Sequence, residues 1–382
     1  MRRSILVNLL LTCVALTVAL AAAEFTVRLL YKDHTILSPR YHTNFQYGRY
    51  RLRGIRPNSE YWHTTIDGSW KFVTNSKGFR NRTDFPYRKA KGTLRVVSLG
   101  DSHTQGSEVR QESTFSVVLE HFLNARNVHA EVLNTGVSGF STAEELAFLE
   151  NEGYRYEPDV VVLGFFANDF VDNLRAGLFR LDEPNRLVEA KFDYAPGVRI
   201  QNIIYRIPGV RWLGENSYFY SVLFNGIWAF FKTKSISEAV KRAPAGNSPD
   251  PAANDEFEYA VATRSEYSAY ETGLAVALID RMQRFCRARG IRLIVVDIPV
   301  MKSVRQFGSS FPTDVRDALA AKHIELVTSD SLLQEFRGAV EIHVPHGNHH
   351  ISEFTHALIG VELGQRILSS GYPPLDVPRE GT

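Results

Sequence analysis

Leu94-Arg-Val-Val-Ser-Leu99-Gly100-Asp101-Ser102 is a short apolar run that breaks on a glycine and ends on an acid and a hydroxyl. A run of this length, rich in β-branched residues and stopped by glycine, reads as a strand buried in a parallel sheet. Two more runs follow the same plan. Ala130–Leu133 leads into Asn134-Thr-Gly136-Val-Ser-Gly139, and Val160–Phe166 leads into Asn168-Asp169. Between and beyond them lie helical stripes at Thr114–Ala125, Ala143–Glu152, Ser265–Arg289 and Thr313–Lys322, with further strands at Ile291–Pro299 and Ile324–Val327. Such alternation predicts an α/β fold, a flavodoxin-like three-layer sandwich with a central parallel sheet. In open sheets of this kind ligands bind at the carboxyl ends of the strands, which is where the polar residues of the three runs stand.

A serine, two glycine turns, an asparagine amide and a histidine near the C-terminus, His350, are the parts of acyl transfer: nucleophile, oxyanion donors and base. Gly100-Asp101-Ser102, Gly139, Asn168-Asp169 and His350 stand in that order, and the four blocks resemble the SGNH/GDSL hydrolase family from Leu94 to the last helix. The resemblance implies Ser102 as nucleophile and His350 as base. It implies an oxyanion hole made by the Ser102 amide, the Gly139 N–H and the Asn168 side chain. Asp101 and Asp169 are expected to brace their turns by local hydrogen bonds rather than act as acids.

One position departs from the family, whose members carry an aspartate two or three residues before the histidine. Gly347 and Asn348 occupy those places here. Asn348 would orient the imidazole through its amide oxygen without supplying charge, and Asp297, at the end of its strand, is the alternative third member. Five histidines between His343 and His356 raise a metal site as a rival. Their loose spacing and the lack of a carboxylate cluster argue against one, and neither a metal nor a cofactor is expected.

The chain has 382 residues, 44% hydrophobic and 12% aromatic, enough for a large core. Its 44 basic and 42 acidic residues leave a net charge of +2 without a long basic run, which argues against a nucleic-acid partner. Arg2 and Arg3 precede an uncharged stretch from Ser4 to Ala23, close to the length that spans a bilayer. Flanking charge places the N-terminus inside and the folded part outside the cytoplasm. A signal peptide cleaved near Ala22-Ala23 competes with a retained anchor, and the anchor is favoured because Glu24–Tyr31 continues the helical pattern. Cys13, preceded by Thr12, makes a weak lipoprotein signal, and Cys13 and Cys286 form no disulfide framework.

The expected organisation is therefore an anchor over 1–23, an extension over 24–90, a hydrolase domain over 91–371 with an insertion at 172–265, and a tail over 372–382. The extension reads as a short helix followed by hairpins, with turns at Pro57-Asn58 and Asp67-Gly68. Its Asn75-Ser-Lys-Gly78-Phe79-Arg80 segment resembles one found ahead of the serine block in membrane-anchored bacterial members. There Phe79 either anchors a turn or Arg80 borders the cleft. The insertion carries an aromatic segment, Tyr218–Phe231, readable as a packed helix, a lid or a membrane-interface helix, then a loop at Ala243–Asn254. The activity expected is that of an extracytoplasmic esterase acting on an acylated small molecule or glycan. An O-acyltransferase of the same fold and a weakly active glycan-binding or assembly protein are the alternatives.

Overall fold

The computed structural model describes residues 2–39, 41–182, 186–242, 267–346 and 349–371. Helix α1 (Arg2–Tyr31) leads to two antiparallel hairpins, β1 (His42–Tyr47) with β2 (Tyr50–Ile55) and β3 (Glu60–Thr65) with β4 (Gly68–Val73). The core follows as β5 (Leu94–Gly100), α2 (Ser102–Gln105), α3 (Phe115–Asn124), β6 (Ala130–Asn134), α4 (Thr142–Asn151), β7 (Val160–Phe165) and α5 (Asp169–Ala176). An insertion then contributes β8 (Phe179–Asp182), β9 (Arg186–Glu189), β10 (Asp193–Tyr194), α6 (Val198–Ile204), α7 (Val210–Asn216) and α8 (Tyr218–Arg242). The core resumes with α9 (Ala269–Arg287), β11 (Arg292–Asp297), β12 (Val300–Ser303), β13 (Gln306–Gly308), α10 (Thr313–Ala321), β14 (Glu325–Val327), α11 (Ser329–Leu333) and α12 (Glu353–Ser369).

Five strands form one sheet in the order β14-β11-β7-β5-β6, every neighbouring pair parallel. This is the flavodoxin-like order, and its switch point lies between β5 and β7, the strands that end at Ser102 and Asn168. All residues of β5 and β7 are buried, as strands covered on both faces must be. Their side chains alternate between two cores. Val96, Val160, Val162 and Ile294 pack with α3 and α12, while Val97, Leu99, Val161 and Leu163 pack with α4, α9 and the extension. Gly360 and Gly364 let α12 lie close against α3, since a Cβ on them would meet Val118 at 2.7 Å and Phe122 at 2.2 Å.

The expected α/β sandwich, N-terminal apolar helix and helical insertion are all present. The apolar helix runs past residue 23 without a break, to Tyr31. Helix α9 begins at Ala269 rather than 265 because Ser268 and Glu271 form a capping box there. The hairpin turn foreseen at Asp67-Gly68 joins β3 to β4. The loop at 243–254 and the tail at 372–382 lie outside the described residues.

Arg95 joins the extension to the sheet. Its buried side chain donates to Glu131 Oε2 (2.8 Å from Nε) and to the carbonyls of Pro86 (2.8 Å), Tyr87 (3.1 Å) and Tyr156 (2.8 Å). Removing one member of such a buried charged network strands the others. Arg95→Ala is expected to lower unfolding free energy by about 3–5 kcal/mol in a denaturant titration, against less than about 1 kcal/mol for the exposed pair member Arg186→Ala.

Candidate active site

Strand β5 ends at Gly100, where φ is +153° and an added Cβ would lie 2.0 Å from Thr104 Oγ1. Only glycine allows the chain to turn there so tightly. Asp101 caps the short helix that follows by accepting the His103 N–H at 2.8 Å, as expected for a bracing residue. Ser102 is thus the first residue of α2, at the sheet's carboxyl edge.

Ser102 Oγ lies 2.8 Å from His350 Nε2, and His350 Nδ1 lies 2.8 Å from Glu108 Oε2. All three are buried. With Glu108 as a carboxylate, which only accepts, Nδ1 carries the ring proton and Nε2 is left to accept from the serine hydroxyl. This Ser-His-carboxylate relay has the geometry of a nucleophile, a general base and an orienting acid.

Glu108 corrects the sequence reading, which gave the orienting place to Asn348 with Asp297 in reserve. Asn348 lies outside the described residues, and the group against His350 Nδ1 is Glu108. Asp297 has other partners: Ser309 Oγ (2.7 Å), Ser310 N (2.8 Å), and Ser329 N and Oγ (3.1 and 2.8 Å). It fastens a strand-end turn.

Glu108 is held in place by the extension. Helix α2 ends at Gly106 in the left-handed conformation (φ +80°), and Glu108 itself sits at φ +65°, unusual for a non-glycine residue. Buried Arg80 grips this turn: its guanidinium donates to the carbonyls of Gln105 (2.8 Å), Gly106 and Val109 (2.8 Å) and covers the Phe72 ring at 4.5 Å. Burial pushes Arg80 down to about 10, still a cation at neutral pH. Arg110 then pairs with Glu353 (Nε–Oε1 2.8 Å), tying the turn to the first residue of α12, just after His350. Phe79 is in the core beside it, the first of the two readings given for this segment, while Arg80 is buried against the Glu108 turn.

The neighbouring histidines are structural. His103 packs with ring centroids 4.9 Å from His350 and 4.1 Å from Phe166, and burial pushes its pKa far down. His356 accepts the Phe115 N–H at 3.2 Å and His343 contacts the Pro299 carbonyl at 3.1 Å; burial pushes them down to about 3 and about 4. His346 pairs with Asp67 of the β3–β4 hairpin at 2.8 Å. No cluster of three or more metal-ligating residues occurs among the described residues.

Gly139 adopts φ +76°, and an added Cβ would lie 2.5 Å from Arg53 Nη2. The turn around it is closed by Phe140 N to Val137 O at 2.9 Å and by Val137 N to the Gly100 carbonyl at 3.0 Å, which brings it to the end of β5. Asn168 Nδ2 points between Asp101 Oδ2 (3.5 Å) and Asp172 Oδ2 (3.4 Å). Asp169 receives the Thr142 hydroxyl at 3.2 Å. Sequence reading missed that these residues belong to a buried acidic layer with Glu144 and Glu145, offset by Arg53 and Arg175. Ser141 and Glu144 are readable only as a capping box. Burial pushes Asp101 up to about 6 and Glu144 up to about 7, and burial with neighbouring carboxyls lifts Glu145 and Asp169 well above the ordinary range.

Solved structures similar to this chain include a lipase/acylhydrolase from Enterococcus faecalis, 15% identical, covering 72% of this chain and 96% of that one with a TM-score of 0.39. Axe2, an acetylxylan esterase from Geobacillus stearothermophilus, is 12% identical over 72% of this chain and 94% of its own, with a TM-score of 0.38. A G-D-S-L-family protein from Desulfitobacterium hafniense is 11% identical over 71% and 98%, with a TM-score of 0.33. No family model and no curated protein matches the chain. The serine, glycine and asparagine blocks follow the ends of β5, β6 and β7 and the histidine precedes α12, and the site's chemistry is read from their geometry.

The acidic layer has a measurable consequence. Glu144 holds its proton in the folded state up to about pH 7, whereas the unfolded chain releases it near about 4.3. Between these values the folded state binds more protons, so this contribution to stability is full below the lower value and lost as pH rises through the upper one. Relative to the wild type, Glu144→Gln is expected to gain stability as pH is raised from 5 to 8 in urea titrations. Parallel curves for the two proteins would contradict it.

Proposed function

We propose that the protein is an SGNH-type serine esterase anchored in the membrane by α1, with its hydrolase domain outside the cytoplasm. The observation that carries the reading is the continuous relay from Ser102 Oγ through His350 to Glu108, 2.8 Å at each step. Ser102 attacks the ester carbonyl as its proton passes to His350 Nε2. Glu108 stabilises the imidazolium so formed. The Ser102 and Gly139 N–H groups and the Asn168 amide hold the developing oxyanion. His350 returns the proton to the departing alkoxide, and then takes one from a water molecule that attacks the acyl-serine and gives it back to Ser102 Oγ as the acid leaves.

The substrate proposed is an O-acylated glycan. Beside Glu108 lies a cleft of about 410 Å³ edged by Trp70, Arg305, Glu341 and Ser352. Val340, Val344 and Phe354 also line it, and an indole face beside charged and hydroxyl groups is a surface on which a sugar ring can stack. The anchor is supported by α1, whose apolar stretch has a mean hydropathy of 2.5 and is unburied, and the orientation by Arg2 and Arg3.

Hydrolysis of an aryl acetate tests the reading. Ser102→Ala is expected to abolish turnover, and Glu108→Gln to lower kcat by about 10²–10⁴ with KM little changed, since a neutral amide no longer fixes the productive tautomer. Asn348→Ala should keep the wild-type rate and pH profile. Full activity in Glu108→Gln with loss in Asn348→Ala would return the orienting role to Asn348.

A further inference from the structure

Glu24, one residue beyond the uncharged stretch of α1, caps another helix. Its carboxylate accepts from Ser217 Oγ (2.7 Å), Tyr218 N (3.1 Å) and Phe219 N (3.0 Å), the first residues of α8 and the one before it. Arg28 donates to the Asn216 carbonyl at 3.2 Å and lies over the Tyr218 ring. The N-terminus of α8 is therefore fastened at the level where α1 leaves the bilayer.

Helix α8 opens with fourteen uncharged residues, Tyr218–Phe231, before Lys232 and Lys234. At 1.5 Å per residue they extend about 21 Å, too short to cross a core of about 30 Å but suited to lying in its interface. Leu223, Ile227, Phe230 and Phe231 recur at helical spacing and are all exposed, Phe230 to 66%. The preceding helices repeat the pattern. Ile200 and Ile203 on α6 and Ile207 just after it are each more than half exposed, and Trp212 on α7 is 63% exposed. Interleaved with them are Arg199, Arg206 and Arg211, and Glu215 is the only acid between residues 198 and 234. Apolar side chains with an indole and a basic surround are what an interfacial helix presents to lipid. A water-facing monomer seldom leaves such a patch uncovered.

We propose that α6, α7 and α8 form a platform that rests on the anionic bilayer surface beside α1, with Trp212 and the α8 apolar stripe below the headgroups and the arginines among them. The proposal rests on the anchor reading for the continuity of α1 with the platform. Such a platform would hold the hydrolase domain in one attitude to the membrane rather than leave it tethered by a single helix.

The test uses the full chain reconstituted in phosphatidylcholine/phosphatidylglycerol vesicles, with and without bromine on the acyl chains. Trp212's share of the emission is obtained by subtracting the Trp212→Phe spectrum, and brominated lipid is expected to quench nearly all of it. A Trp212 contribution unchanged by brominated lipid would overturn the platform and leave the face to a protein partner. Phe230→Trp provides a second reporter on α8, expected to be quenched likewise. Retention after alkaline carbonate washing reads the anchor separately: a chain retained but unquenched defeats the platform alone, and one released yet quenched on added vesicles defeats the anchor alone.

Discussion

The left-handed turn from Gly106 to Glu108 is the constraint on which the site depends. It places a carboxylate 2.8 Å from His350 Nδ1, only six residues from the serine whose Oγ lies 2.8 Å from Nε2. A glutamate at φ +65° is costly for the backbone, and three carbonyl contacts from Arg80 hold the turn there. The Arg110–Glu353 pair then registers that turn against the segment carrying the base. Ser102, His350 and Glu108 are thus set by two arginine contacts as well as by the sheet.

The extension consequently serves the site as well as covering the core. Arg80 reaches the Glu108 turn, Arg53 reaches the turn of Gly139, and the β3–β4 hairpin meets His346 through Asp67. Beneath lies the acidic layer, where Asp101 and Asp172 flank the Asn168 amide. Burial with neighbouring carboxyls raises Glu145 and Asp169 well above the ordinary carboxylate range, which reduces the negative charge this layer would set against an oxyanion.

The sheet is legible in the sequence because parallel strands buried on both faces must be continuously apolar, as β5 and β7 are. Ser102 and Asn168 are legible because each stands where a strand gives way to a helix, and His350 because it shortly precedes the last helix. Glu108 is not. Its role comes from a turn conformation and from a distant arginine, neither of which leaves a periodic trace, and the family resemblance directed attention to the residues before His350. The one local signal is an isolated acid, six positions past the serine, in a stretch without other charge from Ser102 to Val109. The acidic layer is equally hidden, since Glu144 and Glu145 read as ordinary first-turn residues of an amphipathic helix until the extension covers them.

Labelling by an active-site fluorophosphonate, located by mass spectrometry of the intact and digested chain, tests the central claim most directly because it needs no knowledge of the substrate. The relay predicts a single adduct on Ser102, formed rapidly in the wild type and far more slowly in His350→Ala and Glu108→Gln. An unlabelled Ser102 in the folded protein, or labelling at the same rate in all three, would contradict it.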